Sequence, residues 1–176
     1  NQGEQMLAAN LALFSQALRR IQPIENMIEF GANRGMNLKA LQLLFPKLEA
    51  SAIEINEKAV AKLQHVIPAE RIRHQSILEW DSPKQWDLTL IKGVLIHINP
   101  DELPRVYQKL VRSSRRYLLV VEYYNPSPVT VNYRGHNERL FKRDFAGEIM
   151  AQHPEMKLAD YGFVYRGDKN FPQDDL

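Results

Sequence analysis

The chain contains no cysteine, which excludes a disulfide framework, a thiolate nucleophile and a cysteine-ligated zinc site. We therefore expect a reducing, cytoplasmic location, and we expect no bound metal. No apolar run is long enough to span a bilayer, and the first residues lack the charged-then-apolar order of a signal peptide. No membrane association is expected. The chain begins with Asn1 rather than methionine, so we expect part of a leader to be missing.

A large excess of charge is also lacking. The 176 residues include 23 basic and 21 acidic side chains, for a net charge of +2. This balance is typical of an ordinary soluble protein and argues against a polybasic nucleic-acid binder or a disordered chain. The length suits one domain, spanning residues 1–176, with a single substantial core. No repeat or flexible linker divides the chain.

Helical and strand-like apolar patterns alternate along the chain. The predicted helices are 4–21, 37–44, 57–66, 100–116 and 142–152. The predicted strands are 26–30, 50–55, 72–74, 86–92, 117–124 and 158–165. A polar and aromatic loop is predicted over 129–141. This alternation favours an α/β fold with a doubly wound, mostly parallel sheet in three αβα layers, whose ligands bind above the carboxyl ends of the strands.

The first predicted strand runs directly into a loop, 31–35, that begins and ends with glycine, and a helix follows. The two glycines leave backbone N–H groups unshielded and permit positive φ, while the helix N-terminus faces the ligand. The second strand ends at Glu54, followed by Asn56 as an expected helix N-cap. In a right-handed βαβ unit this carboxylate lies beside the glycine loop, where its oxygens can accept both ribose hydroxyls. A surface glutamate at a strand end is the alternative interpretation.

The loop sequence discriminates among nucleotide cofactors. A phosphate-binding P-loop needs Gly-Lys followed by Ser or Thr, and here Gly35 is followed by Met36 and Asn37. A dinucleotide loop needs glycine at the places held by Asn33 and Met36. The P-loop is therefore excluded, and a fold of the NAD-binding type stays open as a minor alternative.

The spacing Glu29-x-Gly31-x-x-x-Gly35, followed by Glu54, resembles the motifs of class I S-adenosylmethionine-dependent methyltransferases across nearly the whole chain. Longer strings resemble the pseudaminic acid biosynthesis-associated methylase family, and they lie at 89–103, 122–129, 133–136, 140–148 and 160–165. The resemblance implies a Rossmann-like fold with S-adenosylmethionine as cofactor. It implies a small-molecule substrate, a sugar or sugar nucleotide of a nonulosonic acid or surface polysaccharide pathway. The class usually closes its sheet with an antiparallel hairpin. This chain ends too early for the second half of that hairpin, so we expect the seventh strand to be missing.

The resemblance also implies a role for each residue of the loop region. Gly31 and Gly35 form the turn under the methionine part of the cofactor, and Glu29 orients the ammonium group. Glu54 accepts the ribose hydroxyls, and Ile55 lies against the adenine face.

Residues after the third and fourth strands complete the implied cofactor site. Ser76 and Ile77 border the adenine ring, and Lys92 and Gly93 offer backbone carbonyls near the methionine amine. Asn33 stands where the class often has glycine and is expected to narrow the loop. The implied cofactor-binding set is Glu29, Gly31, Ala32, Asn33, Gly35, Glu54, Ile55, Ser76, Ile77, Lys92 and Gly93.

Methyl transfer from a sulfonium is an in-line displacement, so positioning can carry most of the catalysis. A hydroxyl acceptor would also benefit from a general base. His97, just past the fourth strand, is the candidate base, and its alternative is a packed histidine. Tyr124 is the second catalytic candidate. The acceptor atom, whether oxygen, nitrogen or carboxylate, is left open.

Candidate substrate-binding residues follow the fifth strand and lie in the predicted loop. Strand alternation should keep the two consecutive tyrosines from both facing the cleft. An arginine in the loop suits an anionic sugar, whereas Lys142 and Arg143 read better as a solvated helix start. A solvated loop is the alternative for the loop residues. The candidates are Tyr123, Asn125, Tyr133, Arg134 and His136.

Two other functions compete with a small-molecule methyltransferase. One is a cofactor-binding scaffold or regulator without catalysis. The other is RNA methylation, whose only support is the basic helix end at Arg112, Arg115 and Arg116, and complementation of the helix dipole explains that better. We therefore expect no nucleic-acid partner, and the oligomeric state is left open.

Overall fold

A computed structural model gives the fold for residues 2–133 and 136–171, with side chains described over 2–131 and 140–171. The helices are α1 Gln2–Ala17, α2 Met36–Leu44, α3 Glu57–Leu63, α4 Leu103–Ser113 and α5 Phe145–Gln152. The strands are β1 Asn26–Phe30, β2 Glu49–Glu54, β3 Ile72–His74, β4 Trp86–Lys92, β5 Ser114–Val121, β6 Val129–Tyr133 and β7 His136–Lys142. Single 3₁₀ turns cover Ala69–Arg71, Leu95–His97 and Pro100–Glu102.

The main sheet has the strand order β3-β2-β1-β4-β5, and every neighbouring pair is parallel. The chain adds strands on one side of β1 and then on the other, so the strand order reverses between β1 and β4. In open α/β sheets the crevice at such a reversal is where ligands bind, outside the carboxyl ends of the strands. The predicted doubly wound sheet is confirmed, and its reversal point lies directly above the glycine loop.

Helices cover both faces of the sheet, which is why its strands read as nearly continuous apolar runs. Met27 of β1 packs with residues of α1, α2 and α3 on one face, whereas Ile28 and Phe30 pack with residues of α4 and α5 on the other. All three side chains are at most 1% exposed. The two faces therefore form two core layers, as the αβα prediction requires.

Two predicted helix caps are present. The Asn56 side chain accepts a hydrogen bond from the Ala59 N–H at 3.1 Å at the start of α3. The Asn99 side chain accepts from the Asp101 N–H at 3.1 Å, but it caps the 3₁₀ turn that leads into α4. Polar side chains thus satisfy N–H groups that have no partner within the helix or turn.

Two predicted elements are wrong. The predicted loop is wrong because β6 and β7 pair as antiparallel strands, Val129 with Lys142 and Val131 with Leu140. Residues 158–165 form no strand, and they pair with no strand among the described residues. Their alternating apolar side chains, Tyr161 and Phe163 among them, stay exposed. An apolar alternation makes a strand only where a neighbouring edge can accept its backbone groups.

The basic residues after α4 do not all lie at a helix end. Arg112 is in the last turn of α4, but Arg115 and Arg116 are in β5. Arg115 donates to the Asp87 carboxylate, and Arg116 donates to the Pro23 carbonyl at 3.0 Å. The interpretation of Arg115 and Arg116 as dipole-complementing residues is wrong, whereas Arg112 lies in the last turn of α4 as that interpretation requires. Within the described ranges, no helix combines the length and apolar character needed to cross a membrane.

Candidate active site

The glycine loop folds back onto the end of β2. The Gly31 and Ala32 N–H groups both donate to the Ile53 carbonyl, at 2.9 and 3.2 Å, and the Gly35 N–H donates to the Ala32 carbonyl at 2.9 Å. Gly31 and Gly35 have φ of +75° and +77°. Asn33 adopts φ +48°, which asparagine tolerates better than most residues. Although Asn33 stands where the class often has glycine, its backbone therefore keeps the left-handed conformation that a glycine would adopt.

Glu54 joins the glycine loop to the turn after β2. One carboxylate oxygen accepts from the Asn33 N–H and the other from the Asn56 N–H, both at 2.7 Å. The residue is 8% exposed, and neither bond involves an arginine. Because a carboxylate oxygen has two lone pairs, each oxygen can accept one further hydrogen bond. The structure thus brings Glu54 beside the glycine loop and leaves its oxygens able to bind hydroxyl groups.

Of the residues predicted to contact adenine, Ile55 is exposed and Ile77 is buried. Ile55 follows Glu54, the last residue of β2, and is 67% exposed. Ile77 is buried in the core layer of α4 and α5, and the Ser76 hydroxyl accepts from the Leu78 N–H at 3.2 Å. An uncovered apolar side chain beside a buried carboxylate is the arrangement a nucleoside requires.

Glu29 of β1 is buried beneath the glycine loop. One oxygen accepts from the Asn37 side-chain amide at 2.6 Å, and the other has no partner among the described residues. Burial raises the pKa of Glu29 to about 7, against the lowering effects of the Asn37 bond and the Lys92 charge. Burial also lowers the pKa of Lys92, while the carboxylates of Glu29 and Glu122 raise it. Glu29, Lys92 and Glu122 thus form a buried charge cluster, in which one oxygen of Glu29 has no partner among the described residues.

The segment after β4 begins with a turn at Gly93 and continues as a 3₁₀ turn. Gly93 has φ +65°, and its N–H donates to the Val121 carbonyl at 2.9 Å. The 3₁₀ turn that follows ends at His97, whose N–H donates to the Val94 carbonyl at 2.9 Å. His97 is exposed, so the alternative of a packed histidine is wrong. The side chain of Val94 contacts Gly31, because a Cβ added there would lie 2.6 Å from Val94 Cγ2.

The two consecutive tyrosines after β5 differ in burial, as strand alternation requires. Tyr123 is half-buried against the core layer of α4 and α5, and the Lys142 ammonium lies 5.0 Å from its ring centroid. Tyr124 is 59% exposed. The Asn125 side-chain amide donates to the Ser127 carbonyl, within its own turn. Tyr123 and Lys142 thus form a mixed aromatic and cationic surface at the base of the hairpin.

The base of the hairpin is held by a network that includes Arg143. Its guanidinium contacts Glu148 at 3.0 Å, and the Tyr107 hydroxyl donates to the other oxygen of that carboxylate at 2.7 Å. Burial raises the pKa of the Tyr107 hydroxyl, and so does the bond to Glu148. Strand β7 packs against the turn Leu95–His97, which places the hairpin beside the candidate base. The predicted substrate residues Tyr133, Arg134 and His136 lie outside the residues whose side chains are described.

A groove of about 160 Å³ lies away from this site, at the amino ends of the strands. Trp80 and Trp86 line it with Lys84 and Arg73, and none of the candidate residues does. The crevice at the carboxyl ends is the better candidate because its charges, glycines and exposed wall converge there.

Two residues of the site were missing from the predicted set. Asn37 is on the first turn of α2 and binds Glu29, and Glu122 accepts hydrogen bonds from the turn after β4. A signal for Glu122 was a carboxylate at the end of the most apolar strand. No signal marked Asn37, because a polar residue near a helix start is ordinary.

The fold is shared with solved methyltransferases. The sugar N-methyltransferase KedS8 from Streptoalloteichus sp. ATCC 53650 matches with a TM-score of 0.58 and 17% identity, over 74% of this chain and 57% of its own. A SAM-dependent methyltransferase from Leishmania major matches with a TM-score of 0.72 and 10% identity, over 90% and 66%. The O-methyltransferase of a trans-AT PKS multienzyme from Brevibacillus brevis, solved with S-adenosyl-L-homocysteine, matches with 0.63 and 15%, over 83% and 50%.

These likenesses establish the Rossmann-like fold of class I methyltransferases. The chain spans between half and two thirds of the length of these three structures. A comparison with protein-family profiles gives no match, and a comparison with curated protein sequences gives none either. The resemblance to the pseudaminic acid-associated family therefore stays a prediction.

Proposed function

We propose that the protein is an S-adenosylmethionine-dependent methyltransferase that acts on a small molecule. The observation that carries this proposal is the position of Glu54, whose carboxylate is bonded to the glycine loop through the Asn33 N–H at 2.7 Å. The exposed side chain of Ile55 lies next to it in sequence. The carboxylate proposed to bind the ribose and the apolar side chain proposed to contact the adenine are thus neighbours, at the end of a strand next to the reversal point of the sheet.

The residues present fit the cofactor on three counts. The buried oxygen of Glu29 that has no partner among the described residues can accept the methionine ammonium. Gly31 and Gly35 let the loop pack closely on its neighbours, since a Cβ at either would lie within 3 Å of the side chain of Val94 or Leu63. Glu54 retains lone pairs for the ribose hydroxyls. The remaining cofactor-site candidates, Ala32, Asn33, Ile55, Ser76, Ile77, Lys92 and Gly93, are proposed to line the same crevice.

When bound, S-adenosylmethionine supplies an electrophilic methyl group for in-line transfer. His97 is proposed as the general base that takes the proton of a hydroxyl acceptor, and its exposure on the turn after β4 leaves the imidazole accessible. Tyr124, also exposed, is proposed to assist on the opposite wall. The chain's own contribution is mainly to orient both reactants and exclude water.

The proposed acceptor is an anionic sugar or sugar nucleotide of a nonulosonic acid or surface polysaccharide pathway. The Lys142 ammonium, which lies over the Tyr123 ring, is proposed to bind the carboxylate, and the half-buried ring is proposed to contact the sugar beside it. Arg143 contributes less, because its guanidinium is paired with Glu148. Asn125, Tyr133, Arg134 and His136 are proposed to complete the acceptor surface. This choice of sugar is based on the resemblance of the long strings to the pseudaminic acid-associated family, which the family comparison does not match.

The proposal is tested in two steps. Calorimetry of the purified chain with S-adenosyl-L-homocysteine should show saturable binding, and absence of binding would refute the cofactor assignment. Isotope-labelled S-adenosylmethionine is then incubated with a panel of nonulosonic acids and their nucleotide derivatives, and the products are analysed by mass spectrometry. A labelled sugar supports the assignment. Binding without transfer to any member of the panel would instead favour a non-catalytic scaffold.

A further inference from the structure

Glu122 has an unusual position for an acidic residue. It follows β5, is 7% exposed, and uses one carboxylate oxygen to accept two backbone hydrogen bonds. These come from the N–H groups of Val94 and Leu95, at 2.8 and 2.9 Å. Its other oxygen is buried without a partner among the described residues. A buried carboxylate is costly, so the contacts it does make are informative.

The turn that Glu122 binds joins the two halves of the candidate site. At one end, Val94 packs against Gly31 of the cofactor loop. At the other end stands His97, the candidate base. The first N–H groups of such a turn have no partner within it, and Glu122 reaches across from the neighbouring strand to satisfy two of them. A contact between Glu122 and this turn therefore affects both reactants.

We propose that Glu122 is a positioning residue, which holds the turn 94–97 so that Val94 closes the cofactor loop and His97 faces the acceptor. This inference rests on the proposed function, because it assigns a role to Glu122 in the same transfer. The required property is an acceptor oxygen at the right distance, rather than negative charge at the reacting atoms. Two substitutions separate these properties.

The surrounding charges explain why the carboxylate can stay buried. The ammonium of Lys92, from β4, lies among the charges that act on Glu122, and the hydroxyl of Tyr107 reaches the same region from α4. Burial raises the pKa of Glu122 to about 7, while the N–H groups of the turn and Lys92 lower it. The turn is thus one of the interactions that favour the ionised carboxylate.

Glu122→Gln keeps an oxygen at the length of the native side chain and removes the charge. Glu122→Asp keeps the charge but is one methylene shorter, so its oxygen cannot reach both N–H groups in place. If position is what matters, the glutamine variant retains the ordered turn and the aspartate variant loses it. If negative charge is what matters, the aspartate variant retains the ordered turn and the glutamine variant loses it. Glu155→Gln and Glu155→Asp, at an exposed acid beyond α5, are matched controls.

The first measurement is amide hydrogen exchange at Val94 and Leu95 in the full chain. We expect the aspartate variant to exchange roughly 10- to 100-fold faster than wild type at both amides, and the glutamine variant to stay within about tenfold. Equal exchange in the aspartate variant and wild type would overturn the proposal, and so would fast exchange in the glutamine variant. This measurement needs no acceptor, and its outcome is independent of whether cofactor binds.

The second measurement separates this inference from the cofactor assignment. If the wild-type chain does not bind S-adenosyl-L-homocysteine, the proposed function is refuted, whatever the amide exchange rates are. With the labelled acceptor, we expect Glu122→Asp to lower kcat by about 100-fold, since a misplaced group costs that much, while Glu122→Gln keeps kcat within tenfold. Comparable kcat for wild type and Glu122→Asp would overturn the positioning role.

Discussion

The carboxylate of Glu54 accepts a hydrogen bond from the backbone N–H of Asn33 at 2.7 Å, and this bond ties the end of β2 to the loop that follows β1. The two residues are 21 positions apart along the chain. Parallel pairing of β1 with β2 brings them together, because Phe30 lies opposite Ile53 at the carboxyl edge. The bond therefore results from sheet register, and the loop and the acid form one unit.

Replacing Glu54 with glutamine should weaken cofactor binding. The amide keeps one acceptor oxygen but presents an NH₂ group toward either the Asn33 N–H or the Asn56 N–H, where the native oxygen accepts a hydrogen bond. We expect the Kd for S-adenosyl-L-homocysteine to rise by roughly 10- to 100-fold, the value of one or two charge-assisted hydrogen bonds. Glu49→Gln is the matched control, at the opposite end of the same strand in a solvent-exposed ion pair with Arg71. Calorimetry on both variants distinguishes the site from the strand, and equal affinities would contradict the assignment.

Replacing Gly31 with alanine should destabilise the fold. The residue has φ +75°, a region that costs other residues about 1–2 kcal/mol, and the new Cβ would lie 2.6 Å from Val94. We expect the free energy of unfolding to fall by about 2–4 kcal/mol, with overpacking included. Urea unfolding measures it. Gly162→Ala is the control, because a Cβ there meets nothing within 4 Å. Similar losses of unfolding free energy in both variants would show that the contact with Val94 does not account for the effect of Gly31→Ala.

Stability should depend on pH through Glu29. Burial raises its pKa from 4.5 to about 7, so between these values the folded state binds a proton that the unfolded state has released. Stability therefore falls as pH rises from 4.5 to 7, by an amount on the order of 3 kcal/mol, and the loss persists above 7.

Glu29→Gln should remove this contribution. The variant is expected to gain stability relative to wild type at pH 8 and to show little gain at pH 4.5, as measured by urea unfolding at both values. Glu122 contributes a loss of the same sign, because its pKa is also raised to about 7, so the variant keeps part of the pH dependence. If the free energy of unfolding differs between Glu29→Gln and wild type by the same amount at pH 8 and at pH 4.5, Glu29 is not protonated in the folded state.

Replacing His97 with alanine should affect transfer but not cofactor binding. His97 lies past the cofactor loop, on an exposed turn. For a hydroxyl acceptor we expect kcat to fall by about 10²- to 10⁴-fold, the usual contribution of a general base, with an unchanged Kd for S-adenosyl-L-homocysteine. His65→Ala, at an exposed histidine after α3, should leave both quantities unchanged. A variant with full activity would show that the acceptor needs no base at this position.

The interior of the fold was predictable where local pattern and burial agree. Strands β1, β3 and β4 match the predicted bounds. The β1 and β4 sequences are mostly apolar because both faces of that part of the sheet are covered, whereas β3 is a short edge strand with two exposed residues. Strand β5 begins at Ser114 rather than Tyr117, because a basic stretch with Arg115 paired to Asp87 can still lie in the sheet. The caps at Asn56 and Asn99 were predictable because capping depends on residues within three positions.

The amino-acid sequence by itself determined the doubly wound class, the glycine loop with its positive φ values and the acid at the end of β2, since each depends on periodicity or on local backbone sterics. Only the tertiary structure decided that β6 and β7 pair as antiparallel strands, that residues 158–165 pair with no strand among the described residues, and that Glu122 binds the turn that ends at His97. The physical reason is that these outcomes depend on which edge or N–H group is available from a distant part of the chain, and local pattern carries no information about that.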